Sequence, residues 1–156
     1  MRYSENIANS IKVYLKAQDW TFDFDEIGGI FRVEADLACK LGVAMVVYQV
    51  MENSFLAYTT IPDEAPAEMK PLVAEYLHRA NYGLPRGNFE FDYDDGSVHF
   101  KTFFDCPDDT VSAKQLEESM AIGLTVFERY GDGLHELLNS GSLARRLVMQ
   151  AEEQEG

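Results

Sequence analysis

The sequence predicts an α+β domain: an antiparallel sheet of about five to six strands with flanking helices, in the order α-β-β-β-β-α-β-β-α. Three observations carry this. The apolar residues change period along the chain, from helical spacing before Ala17 to alternation after Trp20, and back to helical spacing after Pro66. The strand-like runs follow one another across short turn signals, Gly28-Gly29, Glu52-Asn53 and Asp95-Gly96, and connections that short join antiparallel neighbours. At 156 residues with 46% apolar content, the chain is long enough for one packed core and too short for two comfortable ones.

Ile7, Ile11, Tyr14 and Leu15 recur at helical spacing, with Ser4 placed to cap the first turn, so a helix is expected from about Ser4 to Ala17. Trp20, Phe22 and Phe24 then alternate with Thr21, Asp23 and Asp25, the pattern of a half-buried strand. Beyond Gly28-Gly29, Phe31, Val33, Ala35 and Leu37 alternate with Arg32, Glu34 and Asp36, a second strand with one face to water. Val43 to Met51 is apolar on nearly both faces, as is much of Phe55 to Ile61. Pro62 to Pro66 reads as an acidic connection. Met69, Leu72, Val73, Tyr76, Leu77 and Ala80 form an amphipathic stripe, starting near Ala67 because Pro71 fits only the first turn and ending at Gly83 and Pro85.

A hairpin follows. With Asp95-Gly96 as a two-residue turn, Asp92 faces His99, Phe91 faces Phe100 and Glu90 faces Lys101. Ser112 and Gln115 form a capping box for a last long helix, whose stripe runs from Leu116 through Met120, Gly123 and Phe127 to Leu134 and Leu137. Gly131 and Gly133 are candidate points of bending. A Ser-Gly-Ser linker then leads to a short helix, Leu143 to Met149, and an acidic tail. The expected organisation is one domain over 1–139 and a short C-terminal helix and tail over 140–156.

Thirteen basic against 27 acidic residues give a formal charge of −14, which disfavours phosphate-backbone binding and anionic membrane surfaces. Aromatic residues abound on the strands, but the cations that track RNA phosphates are missing, so these rings are read as core. No run approaches the roughly 20 apolar residues of a membrane span, and MRYSENIANSIKVYLK has no continuous apolar stretch of the secretory kind. Cys39 and Cys106 match no metal or redox spacing and suit a reducing compartment. A cytoplasmic protein with neither nucleic acid nor membrane as partner is expected.

No catalytic signature is found. Asp92, Asp94 and Asp95 before Gly96 look like part of a calcium loop, but the twelfth position is Phe103, where a bidentate Glu is needed. His78, His99 and His135 fall on different elements without zinc-ligand spacing. Cys106 is set among Asp105, Asp108 and Asp109, which would raise a thiol pKa, the wrong direction for a nucleophile. No Gly-rich phosphate loop joins a strand to a helix. The expectation is therefore no enzyme, no catalytic residue, no cofactor and no metal.

A strand apolar on both sides must be covered on both sides. For Val43 to Met51, helices of the chain supply one cover; the other is either the C-terminal helix or a second molecule. The second alternative points to a homodimeric protein-binding module, and Met45, Val47 and Phe103 are its candidate partner-binding residues. Phe103 is included because it shares the strand face of His99 and Lys101, where a lone aromatic is out of pattern.

The helix end and hairpin LHRANYGLPRGNFEFD, the strand SVHFKTFF and the Ser112-capped helix resemble the YbjN family, small bacterial proteins whose fold is shared with type III secretion chaperones. Asn81, Gly87 and Phe89 match that family's "N…N…G-F" pattern, and the likeness runs from the first helix to about Leu138. It implies a secretion-chaperone-like α+β fold, commonly homodimeric, that acts by binding protein, with no catalytic residues to carry over. Secretion chaperones hold an extended segment of a client against apolar surface and sheet edges. A small-molecule-sensing regulatory domain of the same fold, with a pocket between sheet and last helix, is the alternative.

Overall fold

The structure, a computed structural model, describes residues 2–155, with side chains described over 2–139 and 151–153. Helix α1 (Glu5–Ala17) is followed by β1 (Phe22–Asp25), β2 (Ile30–Asp36), β3 (Val43–Val50) and β4 (Ser54–Glu64). A 3₁₀ turn (Ala67–Met69) leads into α2 (Lys70–Tyr82), then β5 (Asn88–Phe91), β6 (Ser97–Asp105) and α3 (Ala113–Glu155). The six strands form one antiparallel sheet in the order β1-β2-β3-β4-β6-β5. The expected α+β class and element order are what the chain adopts. The helix assigned as α3 runs past Ser140; the expected division of the chain at 139/140 falls on side chains outside those described.

The helix starts form as the sequence dictates. Ser4 Oγ accepts the Ile7 N–H at 3.1 Å, and Ser112 and Gln115 exchange side chain and N–H reciprocally at 3.0 and 3.1 Å. Trp20 does not belong to the first strand: Asp19 turns the chain at φ 59°, and the Trp20 N–H is spent on Leu15 O. Pro62 is a second difference. It lies within β4 and not in a loop, where the β4–β6 register shifts between Thr60 and Glu64. A ladder broken by a bulge needs no donor, which is where a strand tolerates proline.

The 88–104 hairpin forms in a different register. Phe89 faces Phe100, Glu90 faces His99 and Phe91 faces Val98. The turn is wider than Asp95-Gly96 alone: the Asp92 N–H donates to Ser97 O at 3.0 Å and the Gly96 N–H to Asp92 O at 2.8 Å. Carboxylates of Asp92 and Asp95 also accept the N–H groups of Asp94 and Ser97, each at 2.8 Å. These Asx contacts stabilise a longer loop, with Gly96 at φ 78° as its left-handed residue. The shift is even, so every side chain keeps its face.

Its consequence is electrostatic. Glu90 meets His99 Nε2 at 2.9 Å and Lys101 Nζ at 3.1 Å, and His99 is thus held by Glu90 and not by Asp92. Burial alone would raise the Glu90 carboxyl, but the bonds from His99 and Lys101 outweigh it and hold the pKa below its ordinary 4.5.

All three helices pack on one face of the sheet. One apolar cluster joins α1 (Ile7, Ile11, Leu15) to Phe31, Tyr48, Phe55 and Phe104. A second joins α2 (Val73, Leu77) and the middle of α3 (Phe127, Leu134) to Phe89, Val98 and Phe100. Phe31, Tyr48, Phe55 and Phe104 form a row of rings across four strands, with centroid steps of 6.3, 6.1 and 4.8 Å. Arg86 closes that row by lying 4.6 Å over the Phe104 ring while pairing with Glu118 of α3.

Between the two clusters α3 comes down onto the sheet itself. A Cβ at Gly123 would sit 1.9 Å from Thr59 Oγ1, and the buried Tyr48 hydroxyl is 3.0 Å from Ser119 Oγ. Gly131 and Gly133 serve the same end, since Cβ atoms there would lie 2.6 Å from Cys39 Sγ and 2.5 Å from the Tyr76 hydroxyl. They are points of close approach, and the helix is not interrupted at either.

Two outcomes test this packing. Gly123→Ala gains about 1 kcal/mol of helix propensity but must displace a buried β-branched residue, so a net loss of about 1–3 kcal/mol is expected in urea unfolding with unchanged m. A neutral or stabilising result would refute the tight contact. For Glu90, the depressed folded pKa means its contribution is present above the unfolded value and lost as pH falls through the folded one. Glu90→Gln should therefore be less stable than wild type at pH 7, by at most about 1 kcal/mol because these partners are partly exposed. The difference should close in acid below about pH 4.5; a pH-independent gap would contradict the charge pairing.

Candidate functional site: the helix-free sheet face

Strand alternation puts the second set of side chains on the side away from the helices. On β3 the buried residues are Ala44, Val46, Tyr48 and Val50, and the intervening Val43, Met45, Val47 and Gln49 are half-buried. β4 repeats this, with Phe55, Ala57 and Thr59 inward and Leu56, Tyr58 and Thr60 half-buried. On β2 the outer positions are Arg32, Glu34 and Asp36, all exposed. The two central strands therefore carry an apolar stripe between charged flanks.

The three candidate contact residues lie on this face. Met45 sits between Glu34 and Thr60, and Val47 between Arg32 and Tyr58. Phe103 faces Leu56 and is 55% exposed, well above its partly covered neighbours. Ile30, Leu56 and Tyr58 share the face and extend the patch. For Leu56 and Tyr58 the signal was present in the two-sided apolarity of Phe55 to Ile61, but only the strand order reveals that β4 lies between β3 and β6. The flank on β6 and β5 is the Glu90–His99–Lys101 cluster, with the Tyr58 ring edge-on to His99 at 5.1 Å.

The sequence left open whether the last helix covers this second face. Over its described side chains, α3 instead buries Met120, Phe127, Leu134 and Leu138 in the two clusters on the first face. Nor does a pocket separate sheet and last helix where Gly123 meets Thr59. An open cleft of about 750 Å³ lies elsewhere, between α1 and the start of α3, lined by Val13, Tyr14, Val111 and Leu116 among others.

Cys106 is buried, and burial together with Asp105 and Asp109 pushes its thiol up, away from thiolate reactivity. Among the described residues, no cluster of three or more His, Cys, Asp and Glu could hold a metal ion. No helix is long and apolar enough to cross a membrane among the described residues.

Asn81, Gly87 and Phe89 turn out to form one device. The Phe89 N–H donates to Asn81 Oδ1 at 2.6 Å, and Asn81 Nδ2 donates to Phe89 O at 3.1 Å. Gly87, at φ 74°, lets the backbone pass where a Cβ would be 2.6 Å from the Phe100 ring. The three residues dock β5 against the end of α2.

Among solved structures, this fold is similar to the crystal structure of YbjN from E. coli, which is described there as "a putative transcription regulator". The TM-score is 0.50 at 13% identity, over 79% of this chain and 90% of that one. No curated protein matches the sequence. The sequence profile of the YbjN family, described as "Putative bacterial sensory transduction regulator", matches residues 8–136. That span runs from within α1 to α3 and contains the Asn81–Gly87–Phe89 device, and on it the chain belongs to the YbjN family.

Proposed function

We propose that this chain is a non-enzymatic protein-binding module, chaperone-like or regulatory, that forms a homodimer through its helix-free sheet face. The observation that carries this reading is the stripe of Val43, Met45, Val47, Leu56 and Tyr58, continued by the 55% exposed Phe103, on a face that no described helix covers. Contiguous apolar surface rimmed by charge marks interaction sites. Among the described residues no metal-holding cluster is found, and the raised thiol pKa of buried Cys106 fits a binding role. A charge of −14 argues against direct contact with nucleic acid, so regulation by this chain would run through a protein partner. The two free cysteines suit a cytoplasmic setting.

Strands about 4.8 Å apart and about 20 Å long give such a face on the order of 500 Å² per copy. The total of about 1,000 Å² lies at the low end for specific complexes, so the dimer should dissociate on dilution. An extended segment of a client is the other occupant this reading admits. A small-molecule-sensing domain is the second reading, favoured by the sensory description of the family and by the cleft between α1 and α3; a reproducible ligand-induced rise in Tm, lost on filling that cleft with Val13→Trp, would support it.

The test is mass in solution against concentration. Wild type should rise from 17.7 kDa toward twice that value. Val47→Asp and Phe103→Asp should each weaken association about tenfold or more with little change in the unfolding midpoint. Tyr82→Asp, on a residue 97% exposed at the end of α2, should change nothing. A wild type that stays monomeric at high concentration, or variants that associate as wild type does, would overturn the open face as the dimer surface.

A further inference from the structure

An antiparallel sheet has two outer edges, and this one treats them differently. The phase of the ladder identifies which backbone groups each edge presents. The Asp92 N–H bonds to Ser97 O, so Glu90 and Asn88 also turn their backbone groups toward β6, and Phe89 turns outward. Those outward groups are already taken: the Asn81 side chain accepts from the Phe89 N–H at 2.6 Å and donates to its carbonyl at 3.1 Å. The amide of Asn81 stands where an added strand would bond, and the β5 edge is closed at its middle.

At the opposite edge, the Val50 N–H bonds to Gly29 O and the Leu37 N–H to Gly42 O. Odd-numbered residues of β2 therefore face β3, and Ile30 and Arg32 face β1. Their partners Asp25 and Asp23 turn inward, and the N–H and C=O groups of Phe22 and Phe24 point away from the sheet. β1 is the terminal strand on that side, and among the described residues these outward groups have no backbone or side-chain partner. This is an unpaired edge of the kind that accepts strand addition.

What would add there is decided by the side chains on the two sides of β1. Asp23 and Asp25 lie on the helix-free side, and the Asp23 side chain is 75% exposed beside Arg32 at 3.6 Å. Phe22 and Phe24 lie on the helix side, where Lys12 Nζ already sits 4.6 Å over the Phe24 ring. A second copy is disfavoured. The twofold register that pairs both Phe22 and Phe24 sets Asp23 against Asp23, and a neighbouring one sets it against Asp25. Like charges directly opposite are destabilising.

We propose that the β1 edge binds an extended partner segment in which basic and apolar residues alternate, through the Phe22 and Phe24 backbone groups, with cations beside Asp23 and Asp25 and apolar side chains beside Phe22 and Phe24. The inference rests on the protein-binding reading but uses the sheet's edge and not its open face, and it deepens that reading by stating the chemistry of the client segment.

The experiment uses the full chain and short capped peptides of alternating Lys and Val. Amide exchange by NMR and the fluorescence of the single tryptophan, Trp20, read the binding. Expected are slowed exchange at the Phe22 and Phe24 amides and affinity about tenfold above that of an isomer with Lys and Val in blocks. N-methylation on the bonding side of the peptide should abolish the effect. Asp23→Lys should weaken Lys/Val binding and favour a Glu/Val peptide; it leaves Asp25, which holds the Ile27 N–H at 3.0 Å, untouched. Equal binding of the blocked or N-methylated peptides would reduce the effect to diffuse attraction and overturn the proposal, as would no binding at all. The dimer measurement separates the two readings. Loss of edge protection with association intact sinks the edge alone, whereas a monomer that still protects Phe22 and Phe24 sinks the open-face dimer alone.

Discussion

The contact between Gly123 and Thr59 sets the layout of this molecule. At most helix–sheet interfaces, side chains keep the two backbones well apart. Here a Cβ at position 123 would fall 1.9 Å from the Thr59 hydroxyl, so α3 lies on the sheet with almost nothing between them. With the middle of the layer occupied, the apolar residues divide into a cluster at each end of the sheet, and Leu124 touches both. α1 fills one end and α2 the other. The buried Tyr48–Ser119 hydroxyl pair then satisfies polar groups that this close approach removes from water.

That arrangement uses the described parts of all three helices on one side and, among the described residues, leaves the other to the strands. The chain is economical with its polar groups on that bare side. Arg32, Glu34 and Asp36 sit at one flank, Glu90, His99 and Lys101 at the other, and the apolar stripe lies between them. The Asn81, Gly87 and Phe89 device belongs to the same logic: it closes one sheet edge with a side-chain amide.

Much of this was legible in the sequence, because it depends on period and on local chemistry. The alternation of Phe31 to Leu37 and the Ser112–Gln115 box specify strand and helix start without help from the rest of the chain. The hairpin register was not legible. Asp95-Gly96 is a strong turn signal, yet the Asp92 and Asp95 carboxylates bond neighbouring amides and widen the loop, and Gly96 is required where the turn meets Ala65. Pro62 looked like a loop residue because the bulge that accommodates it is a property of the β4–β6 pair. Gly131 and Gly133 read as points of bending because the Cys39 and Tyr76 side chains that fill their missing Cβ positions come from remote segments. The candidate contacts Met45, Val47 and Phe103 were found from two-sided apolarity, but their union on one face needed the strand order.

The charge of −14 acts on the two proposed surfaces in opposite senses. Bringing two copies together through an apolar stripe sets like-charged bodies side by side, and salt shortens the range of that repulsion to about 8–10 Å near physiological strength. Self-association through the open face should strengthen as salt rises. A basic segment at the β1 edge is drawn by the same net charge and by Asp23 and Asp25, so its binding should weaken over the same range. The sign of the salt dependence thus reports which surface is engaged, because one excludes charge and the other is lined with it.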